Sequence, residues 1–219
     1  MNKTVRLALG VGCIALIIIA ALALLPTTTV QVTSSADHTF ELDAAMPRVR
    51  KILVRTNAVK KIVAMANAEF LDQKWLQLQF EIDRPILKRD WHLDGNGELN
   101  VRTNDRYIGS HDITLKQAID ITPERLFVTN QLAEPSGPIR QYASTLTLTP
   151  GENGKALIAS HLDLTINTTA SWLTQTIVQR KIRESAGIAL RRQEQAIRDI
   201  VQQHAEDLII LPEKKGPDG

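Results

Sequence analysis

Two short stretches, "DWHLD" (Asp90–Asp94) and "SHLDL" (Ser160–Leu164), each set a histidine two residues before an aspartate. On a strand, residues i and i+2 project from the same face. An imidazole and a carboxylate so placed form an acid/base unit, in which the carboxylate steadies the imidazolium and the ring exchanges a proton near neutral pH. His92–Asp94 and His161–Asp163 are therefore the pairs whose spacing could do chemistry. Leu93 and Leu162 lie between the partners, and a leucine in a half-buried strand claims the core side. Both pairs are accordingly expected on a wet face, as ordinary polar surface, and no catalytic residue is assigned.

Other site chemistries find no support. The histidines at 38, 92, 111, 161 and 204 contain no H-E-x-x-H spacing, so a helical zinc hydrolase is not indicated. Cys13 is the single cysteine, which excludes an intrachain disulfide and a cysteine-based zinc site. No G-x-S-x-G, G-x-x-x-x-G-K or G-x-G-x-x-G occurs. The expectation is no metal and no cofactor.

A third cluster is electrostatic. Between Ala44 and Ala68 the chain carries Arg48, Arg50, Lys51, Arg55, Lys60 and Lys61 and no acid. Such a run could meet phosphates on nucleic acid or lipid. The formal net charge of the 219 residues is only +2, and Lys3 and Arg6 at the N-terminal tip account for it. Nucleic-acid binding normally shows a clear basic excess on the domain and, for single strands, several stacking aromatics. Aromatic residues make up 4%, so no nucleic-acid partner is expected. A solvated helix face is the favoured reading of the run, with contact to lipid headgroups as the alternative.

Leu7–Leu25 is an unbroken apolar run preceded by Lys3 and Arg6 and stopped by Pro26. A helix rising about 1.5 Å per residue would span a hydrocarbon core of roughly 30 Å with such a run. The basic flank puts the N-terminus in the cytoplasm and the rest of the chain on the far side. Residues 1–26 are thus read as a single-pass membrane anchor, and the remainder as extracytoplasmic, periplasmic in a Gram-negative bacterium. Ala21-Leu22-Ala23 offers the competing reading of a cleaved signal peptide, but the apolar run outlasts a usual h-region.

The elements that would position side chains follow from periodicity. Residues 27–36 read as a linker and the start of a first strand, with Val30/Val32 and Phe40/Leu42 alternating. Val49, Ile52 and Leu53, then Val59, Ile62 and Val63, have helical spacing, broken at Thr56-Asn57, with Asn57 placed to cap the second helix. "WLQLQFEI" puts Leu76, Leu78, Phe80 and Ile82 on one face of a strand. Asp94-Gly95 and Asn96-Gly97 read as hairpin turns. Thr122-Pro123-Glu124, Glu134–Pro138 and Pro150–Gly154 punctuate further strands that contain Leu146/Leu148 and Leu164/Ile166. A single long helix is expected over 170–208, opened by Trp172 as a cap or interfacial anchor, with mixed charge on its wet side. A flexible polar tail occupies 209–219.

The order strand, two short helices, antiparallel curved sheet and long C-terminal helix resembles the helix-grip fold of the START-like or SRPBCC superfamily, which includes polyketide cyclases and Bet v 1-type carriers. The opening stretch "FELDAAMPRVRKILVRTNAVKKIV" (Phe40–Val63) is similar to the start of those domains, although Ala45 and Met46 precede Pro47 and Arg50 stands where tryptophan is common. The resemblance covers about residues 30–208, with 37–208 as the domain proper, and makes the chain α+β behind an N-terminal transmembrane helix. It implies a cavity between sheet and long helix that takes a hydrophobic or lipid-like ligand. The alternating positions that would line it are Leu78, Phe80, Leu146, Leu148, Leu164 and Ile166, with Ile182, Ala186 and Ala189 from the helix. Ser185-Ala186-Gly187 would leave volume there, or else let the helix pack close. The alternative function is a solidly packed, non-enzymatic module that docks on another envelope protein. A cyclase-like or hydrolase-like enzyme built on a His/Asp pair ranks below both.

Overall fold

The computed structural model describes residues 27–83, 90–105, 109–171 and 174–207. The anchor read at 1–26, Trp172 and the tail at 209–219 lie outside the described residues. Among the described residues no helix is long and apolar enough to cross a membrane.

The elements are β1 (Thr27–Leu42), α1 (Met46–Arg55), α2 (Ala58–Met65), β2 (Ala68–Asp83), β3 (Asp90–Asp105), β4 (Gly109–Ile121), β5 (Leu126–Leu132), β6 (Ile139–Pro150), β7 (Ala156–Ser171) and α3 (Gln175–Gln203). The strands form one antiparallel sheet of seven in the order β1-β7-β6-β5-β4-β3-β2. β1 and β2 are the two sheet edges, and α1 and α2 make the crossing between them.

Two element limits differ from the sequence reading. β1 begins at Thr27 and pairs with β7 from Thr27↔Ser171 to Leu42↔Ala156, so 27–36 is strand, not linker. The Thr/Val-rich run has strand propensity and an edge of β7 to pair with. By the same pairing Ala170 and Ser171 finish β7, and the long helix starts at Gln175 rather than at 170.

A third difference concerns Asp94–Gly97. These residues lie inside β3, not at a turn. Leu76 is an extra residue in β2, between the pairs Trp75↔Gly97 and Gln77↔Asn96. A Cβ on Gly97 would come within 2.5 Å of the Lys74 carbonyl oxygen, and one on Gly95 within 2.5 Å of Leu78 Cδ2. The glycines are there because β2 bulges against them and leaves no room for a side chain.

Pro47 occupies the first turn of α1, where its missing N–H costs nothing. Met46, Val49 and Ile52 are buried. The Thr56 hydroxyl donates back to the Ile52 carbonyl at 2.8 Å. Asn57 then takes a left-handed conformation (φ 48°) and turns the chain into α2 without a side-chain cap bond. One core unites Phe40, Leu42, Val49, Ile52, Leu148 and Ile158 with Ile197 and Ile200 of α3. Further along α3, Leu190 and Ala186 pack on Leu162, and Ile182 packs on Val32 and Ile166.

Close approach, not free volume, explains Ala186 of α3. The Ser34 hydroxyl of β1 donates to the Arg183 carbonyl at 2.7 Å and lies 3.3 Å from the Ala186 amide. Only a small side chain at 186 lets the helix backbone come so near a strand.

Candidate functional site

The histidines resolve first. His161 bridges two strands on the outer face, with Nδ1 2.8 Å from Asp37 and Nε2 3.0 Å from Asp163. Hydrogen bonds to Asp163 and then Asp37 raise its pKa above the free-imidazole value. Ser35 and His161 together lower that of Asp163. His92 lies 3.4 Å from Asp120 of the neighbouring strand rather than beside Asp94, and Asp120 also accepts from Arg125 at 2.6 Å. His92 borders a shallow depression of about 460 Å³ with Glu81, Trp91, Thr122, Pro123 and Glu124. Register places His92, Asp120, His161 and Asp163 on the face opposite α3. Among the described residues no group of three or more His, Cys, Asp or Glu could hold a metal.

Three members of the basic run, Arg48, Arg50 and Lys61, reach into other elements. Arg48 of α1 donates to the carbonyls of His204 (3.2 Å), Ala205 and Asp207 (3.3 Å), just past the end of α3. They lie at the negative pole of a helix terminus, where a cation is favoured. Arg50 donates to the carbonyls of Thr122 and Pro123 and stacks 4.7 Å above the Trp91 ring. Lys61 reaches Gln203 at 3.1 Å. These side chains fasten α1 and α2 to α3 and to the β4–β5 turn.

The inner face, toward α3, is where the expected lining residues fall. Cross-strand partners share a face, so register defines its rows. One row is Phe80–Leu93–Ile121–Leu126–Leu148–Ile158–Phe40. The next is Leu78–Gly95–Ile119–Val128–Leu146–Ser160–His38, and Leu164 and Ile166 lie on the same face of β7. Their surroundings differ. Leu148, Ile166, Ile182 and Ala186 are buried in contact with other core side chains, while Leu146, Leu164 and Ala189 are half-buried against them. Leu78, Phe80 and Ile82 of the edge strand β2 instead keep 55%, 59% and 59% of their surface exposed. Leu76, expected with them, is the bulged residue, and Trp75 joins the inner face in its place.

The following row holds what the sequence reading missed. Trp75–Gly97–Gln117–Asn130–Ser144–Leu162 crosses the sheet centre. Gln73 donates to Gln117 Oε1 at 2.6 Å, Gln117 to Asn130 Oδ1 at 2.9 Å, and Asn130 to Ser144 Oγ at 3.2 Å. Ser144 is hydrogen-bonded to Tyr142, whose phenol pKa burial pushes up. Gln117 is only 5% exposed. One row away, the Ser160 hydroxyl is buried without a partner among the described residues. The signal was present as polar residues at apolar-parity positions, Gln117 between Leu115 and Ile119 and Asn130 after Val128.

Strand order, the two crossing helices and the single long helix gripping the sheet now decide the architecture. This is a helix-grip domain. No protein-family model matches the sequence, and no curated protein matches it. Among solved structures, the chain is similar to the Zhui aromatase/cyclase from Streptomyces sp. R1128 (TM-score 0.46, 14% identity, 80% of this chain and 94% of that one). It is also similar to a START superfamily protein from Mycobacterium smegmatis (TM-score 0.43, 15% identity, 77% and 97%). A third is truncated norcoclaurine synthase from Thalictrum flavum (TM-score 0.44, 15% identity, 80% and 96%). The helix-grip assignment rests on the element order and sheet topology of the chain itself.

Proposed function

We propose that this helix-grip domain binds a hydrophobic or lipid-like small ligand on the open half of its inner face, while residues 1–26 anchor the chain in a membrane and leave the domain extracytoplasmic. The observation that carries the reading is the exposure of Leu78, Phe80 and Ile82 on the side of the sheet that elsewhere is packed. Covering three apolar side chains already more than half exposed would contribute roughly 1 kcal/mol each. Native mass spectrometry of the full chain released from membranes tests it. A lipid-like adduct on the parent chain, absent from the Leu78→Asp/Phe80→Asp variant, supports the reading. Repeated absence of any adduct overturns it.

A second reading has its own support. The inner face under α3 is filled, with Leu148 and Ala186 at 0% exposure, and β2 is a sheet edge. A packed domain that offers an apolar edge strand suits docking of an envelope protein by strand addition.

A further inference from the structure

We infer that the ligand of this face carries an uncharged hydrogen-bond-donating head, such as a hydroxyl, and not a carboxylate or phosphate; this rests on the groove reading above. The inner-facing side chains of β2 to β6, from the Phe70–Val101 row to the Ile82–Trp91 row, are apolar, glycine or uncharged amides and hydroxyls among the described residues. No carboxylate or ammonium belongs to those rows. Arg50, the cation stacked over Trp91 of this face, already donates to two backbone carbonyls. A charged head drawn into this surface would lose its water without gaining a counter-charge, which costs far more than burying a hydroxyl that finds a partner.

The amide row has a direction. Each member donates to the next from Gln73 to Ser144. Gln73 gives one of its two amide N–H groups to Gln117, which leaves its second N–H and its side-chain carbonyl for a ligand at the β2 end of the row. Gln73 is half-buried, in the strand that holds Trp75 and the exposed Leu78, Phe80 and Ile82. A ligand hydroxyl can both accept from that N–H and donate to that carbonyl, whereas an ionised carboxylate or phosphodiester can only accept and leaves the carbonyl without a donor. The molecule this arrangement fits is a neutral amphipath, its apolar body along Leu78, Phe80 and Ile82 and its hydroxyl at Gln73.

The test compares two probes with one acyl chain, an NBD-labelled monoacylglycerol and the corresponding NBD-labelled fatty acid, titrated at pH 8 against the full chain in nanodiscs. The monoacylglycerol is expected to bind at least ten-fold more tightly. Gln73→Leu is expected to bring the two affinities within about two-fold while the fatty acid binds as before. Gln117→Leu should do the same, and because it alters a buried residue, Gln73→Leu carries the decision if that variant misfolds. Tighter or equal binding of the fatty acid, or an undiminished preference in Gln73→Leu, overturns the inference. If both probes bind equally and Phe80→Asp abolishes both, the groove stands and the inference about the head falls. If neither probe binds, the groove reading falls and takes the inference with it.

Discussion

Beneath α3 the inner face of the sheet is filled, whereas toward β2 the same face is bare, although both halves are built from strands that alternate in the same way. The difference lies in what covers them. α3 is held to the β1 edge by polar contacts that include Ser34 to the Arg183 carbonyl at 2.7 Å, His38 to Glu194 at 2.5 Å, and Arg198 to the Glu41 carbonyl at 3.0 Å. Strands lie about 4.8 Å apart, so seven of them measure roughly 29 Å across, and a helix with its side chains is only about 10–12 Å wide. One helix fixed at the β1 edge covers two or three strands. α1 and α2 close part of what remains, and among the described residues no helix covers the far half of β2. Alternation thus decides which way a side chain faces, and the placement of α3 decides whether facing inward means burial.

The largest expected effect tests the two halves directly. Leu148→Ala, under α3, should cost about 3 kcal/mol of unfolding free energy, in the range for a fully enclosed leucine. Phe80→Ala, with most of its ring already wet, should cost less than about 1 kcal/mol. Urea denaturation of the two variants reads the contrast, and equal losses would erase it. Next comes Gly97→Ala on the β3 floor of the open half. A methyl there meets the Lys74 carbonyl oxygen and the Trp75 ring, so a loss of about 2 kcal/mol is expected from crowding. A neutral result would show that the bulge relaxes freely.

A smaller effect sharpens the covered half. Arg48→Ala removes the donor to the carbonyls beyond α3 and should cost about 1 kcal/mol. It should also speed amide exchange in the last turn of α3 relative to its centre. Uniform exchange would place the fastening elsewhere. The smallest concerns the outer face. The folded-state pKa of His161 is raised, so its contribution is fully present below the free-imidazole pKa of about 6.5 and is lost as pH rises through the raised value. His161→Gln should flatten that loss between pH 6 and 8, by less than about 1 kcal/mol because the pair is exposed. Asp163, whose pKa is lowered, acts in the opposite sense, its share being lost only as pH falls into the acid range. Urea midpoints of the parent and variant at the two pH values decide this, and parallel midpoints would remove His161 from the account.

Much of the architecture was legible in the sequence, for local reasons. Period-two runs marked most of the strands, helical spacing broken at Thr56-Asn57 marked α1 and α2, and the parity of Leu146/Leu148 and Leu164/Ile166 set their face. The wet placement of His161 and Asp163 followed from Leu162 between them. The misreadings share one cause. Asp94–Gly97 has turn chemistry, yet the glycines answer to β2, whose bulge presses on them from another part of the chain. The full reach of β1 back to Thr27 was missed because its partner, β7, is more than a hundred residues away. The amide row was hidden for the same reason: Gln73, Gln117, Asn130 and Ser144 meet only when β2, β4, β5 and β6 are set in register.

The basic run makes the same point on a small scale. Its charge was plain in the sequence, and so was its balance by acids elsewhere. That Arg48 would meet the carbonyls just beyond α3, and Arg50 the β4–β5 turn, required the crossing of α1 between the two sheet edges. By itself the sequence determined periodicity, the facing of most strands and the small net charge, because these depend on composition or on neighbours within a few residues. Tertiary structure decided coverage, the glycine floor and the directed row of amides. Each depends on register and on where one helix, narrower than the sheet, comes to rest.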